Sequence, residues 1–116
     1  MIKERDNVYE NVYEEKGYRN CYDNVYILKG SLTEEQALKE IEKIRAYFNG
    51  TEIYEKENDQ NGYLGLKKLA YSIGNETTGY YCLTHFRARA EKIQEIEMKL
   101  RLNDDVMKFI TVRTDN

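Results

Sequence analysis

The sequence predicts an α+β fold, a ferredoxin-like β-α-β-β-α-β plait in which two helices cover one face of a four-stranded antiparallel sheet. Two observations lead to this prediction. Apolar residues recur at helical spacing in two segments, residues 37–48 and residues 93–100. Short apolar runs typical of strands precede the first segment, separate the two and follow the second. Right-handed crossovers then place both helices on the same face of the sheet.

The first strand and the first helix have clear local signals. Residues 25–28 form a short apolar run that Gly30 ends, which predicts a strand. Thr33 and Gln36 have the spacing of a capping box, so the helix is expected to begin there. Gly50 follows the last apolar residue of this helix and is placed to stop it in a left-handed conformation.

The second strand is predicted in two pieces. Residues 51–56 have a strand pattern, residues 58–62 are rich in turn formers and interrupt it, and residues 66–73 resume it. Alternation within the second piece predicts one shared side for three residues, namely Leu69, Tyr71 and Ile73.

The second half of the chain completes the pattern. Residues 80–86 form the third strand, after a turn bracketed by Gly74 and Gly79. The second amphipathic helix follows, and a polar turn then leads into the last strand over residues 106–112.

Length and composition indicate one soluble domain. The chain has 116 residues, and no run approaches the ~18 apolar residues of a membrane span. The amino terminus lacks the apolar region of a secretory signal, so we expect a cytoplasmic protein in which Cys21 and Cys82 are both free thiols. The folded domain is predicted over residues 22–116. Residues 1–21 are predicted to be an extension, either disordered or docking its repeated Asp/Glu-Asn-Val-Tyr tyrosines on a partner.

The charge is unevenly distributed along the chain. The net charge is −3, with 9 Lys/Arg against 14 Asp/Glu in residues 1–61 and 9 against 7 in residues 62–116. An anionic partner is therefore expected to meet the second half, with an affinity that does not come from charge alone.

Catalysis has little support in the sequence. His85 is the only histidine, and Cys82 lies three residues before it, so the two side chains of a strand would point to opposite faces. A nucleophile–base pair within that strand is therefore excluded, and His85 is interpreted as a surface or interface residue. The sequence contains no Gly-rich phosphate loop and no cluster of metal ligands. We expect no enzymatic activity, no metal and no cofactor.

The predicted strands are apolar on both faces, although only one face can pack against the helices. Something else is therefore expected to cover the open face. Phe86 is assigned to the helix-covered core. The residues assigned to a protein partner on the open face are Ile27, Tyr81, Leu83 and Val112.

Basic and aromatic residues lie together on the second strand. Lys67 and Lys68 lie close to Tyr71, which is a combination that holds phosphates and stacks on bases. A hydrophobic strand with a solvated end explains the same pattern equally well.

Three phrases in a fixed order give the sequence a family resemblance. They are Gly65-Leu-Lys-Lys-Leu-Ala-Tyr-Ser-Ile73, Gly79-Tyr-Tyr-Cys-Leu-Thr-His-Phe86, and Leu100-Arg-Leu-Asn-Asp-Asp-Val106 with its Val112-Arg113 ending. Together they resemble the bacterial ribosomal protein S6 family over residues 22–114. The resemblance implies a non-catalytic, cytoplasmic ribonucleoprotein component of the small ribosomal subunit.

The resemblance also implies partners and site residues. The partners are the central domain of the small-subunit rRNA and ribosomal protein S18, without DNA or a membrane. Lys67 and Lys68 match a basic pair near the RNA. Tyr22 and Arg113 match an aromatic residue and a cation near the RNA-facing surface.

Departures from the family pattern leave a second hypothesis open. Ser72 stands where the family usually has proline, residues 58–62 look inserted, and residues 1–21 have no family counterpart. These features allow either a standard ribosomal copy or a diverged paralogue. The alternative function is a stand-alone ferredoxin-like module that homodimerises or binds a small molecule across its open sheet face.

Overall fold

A computed structural model of the chain describes residues 20–55 and 62–114. Within these ranges, the elements are β1 (Asn20–Lys29), α1 (Glu34–Arg45), β2 (Glu52–Ile53), β3 (Gly62–Ile73), β4 (Glu76–Ala88), α2 (Ala90–Leu102) and β5 (Val106–Thr114). A single 3-10 turn, Ala46–Phe48, follows α1. The predicted α+β, ferredoxin-like plait is confirmed.

The sheet is antiparallel throughout, with β1 and β4 at its centre. Its order is β2-β4-β1-β5, and β3 also pairs with β4. Because β2 and β3 share the same edge of β4, the five strands occupy the four positions of the predicted plait. The predicted strand over residues 51–56 is shorter in the structure, since only Glu52–Ile53 forms β2. Residues 58–61 of the predicted interruption lie outside the described residues.

The helix α1 begins at the predicted capping box. Gln36 donates its backbone N–H to the Thr33 hydroxyl at 3.1 Å, and Thr33 donates its N–H to the Gln36 side-chain oxygen at 2.9 Å. At the other end, Gly50 has the predicted left-handed conformation, with φ 87°. The α-helix has already ended at Arg45, because the chain tightens into the 3-10 turn before it reaches Gly50.

The core lies between the helices and one face of the sheet. Its strand residues alternate, so Tyr22, Tyr26 and Leu28 of β1 share this face with Tyr80, Cys82, Phe86 and Ala88 of β4. The helical layer contributes Ala37, Ile41, Ile44, Phe48, Ile96 and Leu100. The intervening strand residues face away from the helices and form what we call the open face.

The strand β1 crosses the predicted domain boundary at residue 22. The strand β1 starts at Asn20, and Cys21 is already buried within it. The rest of the predicted extension, residues 1–19 with its repeated tyrosines, lies outside the described residues.

Candidate functional site

The strands β3 and β4 form a hairpin whose far end carries the basic and aromatic residues. We call residues 67–78 the outer hairpin. The last pairing of β1 with β4 joins Lys29 to Gly79, so the outer hairpin projects beyond it. A two-residue turn at Gly74 and Asn75, with φ 59° at the glycine, closes the hairpin.

A large bulge changes the direction of the side chains in the outer hairpin. Lys68 pairs with Thr78 and Ile73 pairs with Glu76, so β3 advances five residues while β4 advances two. As a result, Leu69 is buried while Tyr71 is 85% exposed. The bulge interrupts the alternation on which the predicted shared side of these two residues and Ile73 rests, so that shared side stays a prediction.

The outer hairpin presents two cations and an aromatic ring to solvent. Lys67, Lys68 and Tyr71 are all exposed. No carboxylate of the described residues lies within ion-pair distance of either lysine. Ammonium groups without a protein partner are available to phosphates, and an exposed tyrosine ring offers a surface for stacking on a base.

Two tyrosines attach the base of the hairpin to the start of α1. The Tyr80 hydroxyl donates to the carbonyl oxygen of Leu32 at 2.7 Å, and the Tyr63 hydroxyl donates to a carboxylate oxygen of Glu34 at 2.9 Å. Desolvation, and secondly the hydrogen bond to Glu34, raise the pKa of Tyr63 to about 12. The base of the hairpin is thereby held against the helical layer.

Tyr22, which the resemblance implies lies near the RNA-facing surface, is buried in the structure. It is 8% exposed, and its ring stacks on Phe86 with the centroids 5.7 Å apart. Its burial follows from its parity along β1, which is that of the core residues Tyr26 and Leu28, and a contact of Tyr22 with RNA stays a prediction. Its ring fills space under the helices.

Arg113 is exposed but lies far from the two lysines. It pairs with Tyr22, which pairs with Phe86, whereas Lys67 pairs with Gly79. Gly79 and Phe86 are seven residue steps apart on β4, which corresponds to about 23 Å along the strand. The structure therefore places Lys67, Lys68 and Tyr71 on the same projecting hairpin and leaves Tyr22 and Arg113 at the opposite end of the sheet.

The four residues assigned to a protein partner all lie on the open face. Ile27 is opposite Tyr81, Val25 is opposite Leu83, and Val112 is opposite Asp23. Their exposure differs, since Ile27 is 7% exposed and Val112 is 48% exposed. Tyr81 and Leu83 are half-buried.

Sequence reasoning did not select the most exposed apolar residue of this face. Ile110 is 56% exposed, and it pairs with Val25 two positions before Val112 on the edge strand β5. The alternation of β5 already placed Ile110 and Val112 on one side. Together they form an exposed apolar pair at the margin of the open face.

The end of the open face near Asn20 is polar. The Nδ1 atom of His85 lies 2.7 Å from Oδ1 of Asp23, and the His85 side chain is fully buried. Next to it, the Arg87 guanidinium lies 4.3 Å from the centroid of the Tyr54 ring and 3.2 Å from a carboxylate oxygen of Glu52. Of the two interpretations of His85, a surface residue is wrong, because a cross-strand carboxylate allows its polar ring to be buried, and an interface residue stays a prediction.

The described residues show no arrangement suited to catalysis. Cys82 belongs to the helix-covered core while His85 lies on the open face, as their spacing predicted. Burial raises the pKa of the Cys82 thiol, which keeps it protonated and weakly nucleophilic. Among the described residues, no group of three or more His, Cys, Asp or Glu side chains is arranged to hold a metal ion. Neither described helix has the length and apolar character of a membrane span.

A cleft of about 570 Å³ lies between α1 and the interruption of the edge strand. Tyr26, Phe48, Tyr63 and Cys82 contribute to its lining. The Arg45–Glu42 pair, with Nε 3.4 Å from a carboxylate oxygen, also borders it.

Comparison with known proteins identifies the family. The family model for ribosomal protein S6 matches residues 21–113. The chain is similar to the small ribosomal subunit protein bS6 of a Sulfurovum species, with 36% identity over 81% of this chain and 72% of that protein. It is 37% identical to the bS6 protein of Bacteroides fragilis, over 83% of this chain and 82% of the relative.

A solved structure has the same fold. The 30S ribosomal protein S6 of Thermotoga maritima superposes with a TM-score of 0.72, covering 82% of this chain and 87% of that one at 22% identity. The fold, the family match and the identity to the bS6 proteins agree. The chain belongs to the ribosomal protein S6 family, whose members are structural, non-enzymatic proteins of the small ribosomal subunit.

Proposed function

We propose that this chain is a structural constituent of the bacterial small ribosomal subunit that binds the central domain of the small-subunit rRNA together with ribosomal protein S18. It would act in the cytoplasm, where ribosomes assemble. The outer hairpin contacts the RNA, and the open face contacts the protein partner.

The exposure of Lys67, Lys68 and Tyr71 on one projecting hairpin is the observation that carries the RNA assignment. Two cations supply contacts to phosphates that position the protein, and the tyrosine ring adds a surface for stacking. The net charge of −3 makes non-specific electrostatic attraction weak. The chain therefore needs a second contact, which a protein partner on the same RNA supplies.

The open face supports the assignment to a protein partner. Ile110 and Val112 are both about half exposed on the edge strand, beside the half-buried Leu83 and Val25. Contiguous exposed apolar residues on a small domain mark contact surfaces. Both proposed surfaces can be used at once, because the outer hairpin projects beyond the last pairing of β1 with β4.

Reconstitution tests the proposal. Purified chain, S18 and a central-domain fragment of the small-subunit rRNA are mixed, and binding is followed by electrophoretic mobility shift. We expect tight binding only when both proteins are present, and no comparable binding to an unrelated RNA of equal length. Absence of the chain from the small-subunit fractions of its native cell, in a sucrose gradient, would rule the proposal out.

The exposed apolar pair also fits the alternative of a stand-alone module that homodimerises through the open face. Light scattering of the purified protein separates the two functions. A stable dimer that S18 does not dissociate would favour the alternative, and a monomer that forms a one-to-one complex with S18 would favour the ribosomal function.

A further inference from the structure

Glu76 connects the turn of the outer hairpin to the loop that precedes α1. One of its carboxylate oxygens accepts the backbone N–H of Ser31 at 3.0 Å, and the other accepts the Ser31 hydroxyl at 3.0 Å. Glu76 is the first residue of β4 and pairs across the hairpin with Ile73. Both oxygens of one carboxylate therefore hold the hairpin end to a loop 45 residues away in sequence.

A backbone contact next to Glu76 extends the same attachment. Gly30 donates its N–H to the carbonyl oxygen of Thr78 at 3.1 Å, directly after the last β1–β4 pair at Lys29 and Gly79. The close approach depends on the glycine, since a Cβ at Gly30 would lie 2.4 Å from that carbonyl oxygen. The chain after β1 thus follows β4 to the end of the hairpin.

These contacts replace sheet pairing that the outer hairpin lacks. Among the described strands, β3 is the only neighbour of β4 beyond Gly79, and β3 carries its large bulge there. An isolated two-stranded hairpin is only marginally stable in water, and a bulge weakens its ladder further. The hydrogen bonds of Gly30 and Ser31 therefore stabilise the outer hairpin on the side of β4 that faces away from β3.

We propose that Glu76 is a positioning residue for RNA binding. By holding the outer hairpin to Ser31, it fixes the orientation of Lys67, Lys68 and Tyr71 relative to the domain before the RNA arrives. A surface that is already ordered loses less conformational freedom on binding, so its affinity is higher. The inference depends on the proposed RNA-binding function of the outer hairpin.

A role of Glu76 through its charge and a role through positioning predict opposite changes in RNA affinity when Glu76 is removed. A carboxylate near an RNA surface repels phosphates, so its removal should strengthen binding if Glu76 acts only through its charge. If Glu76 acts by positioning, Glu76→Ala should weaken binding roughly threefold to tenfold. The salt dependence of binding should stay unchanged, because no phosphate contact is lost. Glu76→Gln, which keeps one acceptor oxygen, should fall between wild type and Glu76→Ala.

The experiment measures binding of each variant to the central-domain rRNA fragment in the presence of S18. Glu91→Ala, which removes an exposed carboxylate from α2, is the matched control and should bind like wild type. In the absence of RNA, hydrogen exchange of the amides of residues 67–78 should accelerate in Glu76→Ala and remain unchanged in Glu91→Ala. Circular dichroism confirms that the variants fold.

The outcomes separate this inference from the proposed function. If Lys67→Ala/Lys68→Ala binds weakly while Glu76→Ala binds as tightly as wild type or more tightly, the positioning role is overturned and the RNA site stands. If the double lysine variant binds like wild type, the outer hairpin is not the RNA site. The RNA-binding role of the hairpin and the positioning role of Glu76 are then both overturned. Weaker RNA binding by Glu76→Ala with an unchanged salt slope and faster hairpin exchange supports the inference.

Discussion

His85 and Asp23 form a cross-strand pair on the open face, with Nδ1 of the imidazole 2.7 Å from Oδ1 of the carboxylate. The histidine ring is fully buried although it lies on the side of the sheet away from the helices. A buried imidazole requires hydrogen-bond partners to offset its loss of water. Asp23 is therefore expected to contribute to the stability of the sheet.

Replacement of Asp23 tests this expectation. Asp23→Ala removes the acceptor that His85 uses, which should lower the free energy of unfolding by about 1–3 kcal/mol. Urea denaturation followed by circular dichroism measures the change. Asp104→Ala removes an exposed carboxylate from the turn before β5 and should change stability by less than ~0.5 kcal/mol. Equal midpoints for the two variants would show that the pair adds nothing.

The two lysines of the outer hairpin are predicted to make phosphate contacts. Lys67→Ala/Lys68→Ala should weaken binding to the rRNA fragment and reduce the slope of log affinity against log salt by about 0.7–1 per lost contact. Lys39→Ala/Lys43→Ala on α1 changes the net charge equally and serves as the control, since both of these lysines are also exposed. Identical slopes for the two double variants would make Lys67 and Lys68 ordinary solvated side chains.

A charge introduced on the open face should affect the partner and not the fold. Ile110 is exposed, so Ile110→Asp should abolish binding to S18 while leaving the circular dichroism spectrum of the isolated chain unchanged. Phe86 is fully buried in the core, so Phe86→Asp should unfold the domain by burying an unpaired charge. A pull-down with the first variant and denaturation of both decide the assignment. Binding of Ile110→Asp to S18 with unchanged affinity would contradict the assignment of the open face to the partner.

Gly30 is predicted to be required by close packing. A Cβ at this position would lie 2.0 Å from the Thr78 hydroxyl oxygen and 2.4 Å from its carbonyl oxygen. Gly30→Ala should therefore destabilise the domain by about 1–3 kcal/mol and shift the amide resonance of Thr78. Gly62→Ala introduces strain at φ 82° but no contact within 4 Å, so it should destabilise without moving Thr78. An unshifted Thr78 resonance in Gly30→Ala would exclude the clash.

The free energy of unfolding is expected to decrease in alkaline solution, and ionisation of Tyr63 contributes to this decrease. Desolvation, with the Glu34 hydrogen bond as a second cause, raises its pKa from 10.0 to about 12 in the folded state. Between these values the unfolded chain has released a proton that the folded chain keeps, so unfolding becomes more favourable as the pH rises. Tyr63→Phe should lose less stability than wild type between pH 10 and 12.

Urea midpoints of the two proteins at several pH values measure this difference. Tyr71→Phe controls for the loss of a tyrosine, because it removes a hydroxyl from an exposed ring. Parallel curves for wild type and Tyr63→Phe would contradict the prediction.

Features that depend on neighbours in sequence could be predicted. The capping box of Thr33 and Gln36 joins residues three apart, and both of its hydrogen bonds form as expected. The separation of Cys82 from His85 follows from the period of a strand. The period of two along β1 also predicts that Tyr22 is buried, because Tyr22 lies four residues before the core residue Tyr26.

Features that depend on distant pairing could not be predicted. The burial of His85 requires Asp23, which lies 62 residues away on another strand. The exposure of Tyr71 results from the register that β3 adopts on β4, which no local pattern specifies. The resemblance grouped Arg113 with the lysines, whereas the pairing registers of the strands place them at opposite ends of the sheet.

The edge strands β2 and β3 are registered to β4 separately, with Glu52 opposite Arg87 and Gly62 opposite Leu83. Each register is set by its own pairing with β4 and does not depend on how many residues join the two segments. The connection between Glu55 and Gly62 is therefore a position where the length of the chain can change during evolution. An epitope or a fluorescent label inserted there would leave both pairings of the edge in place.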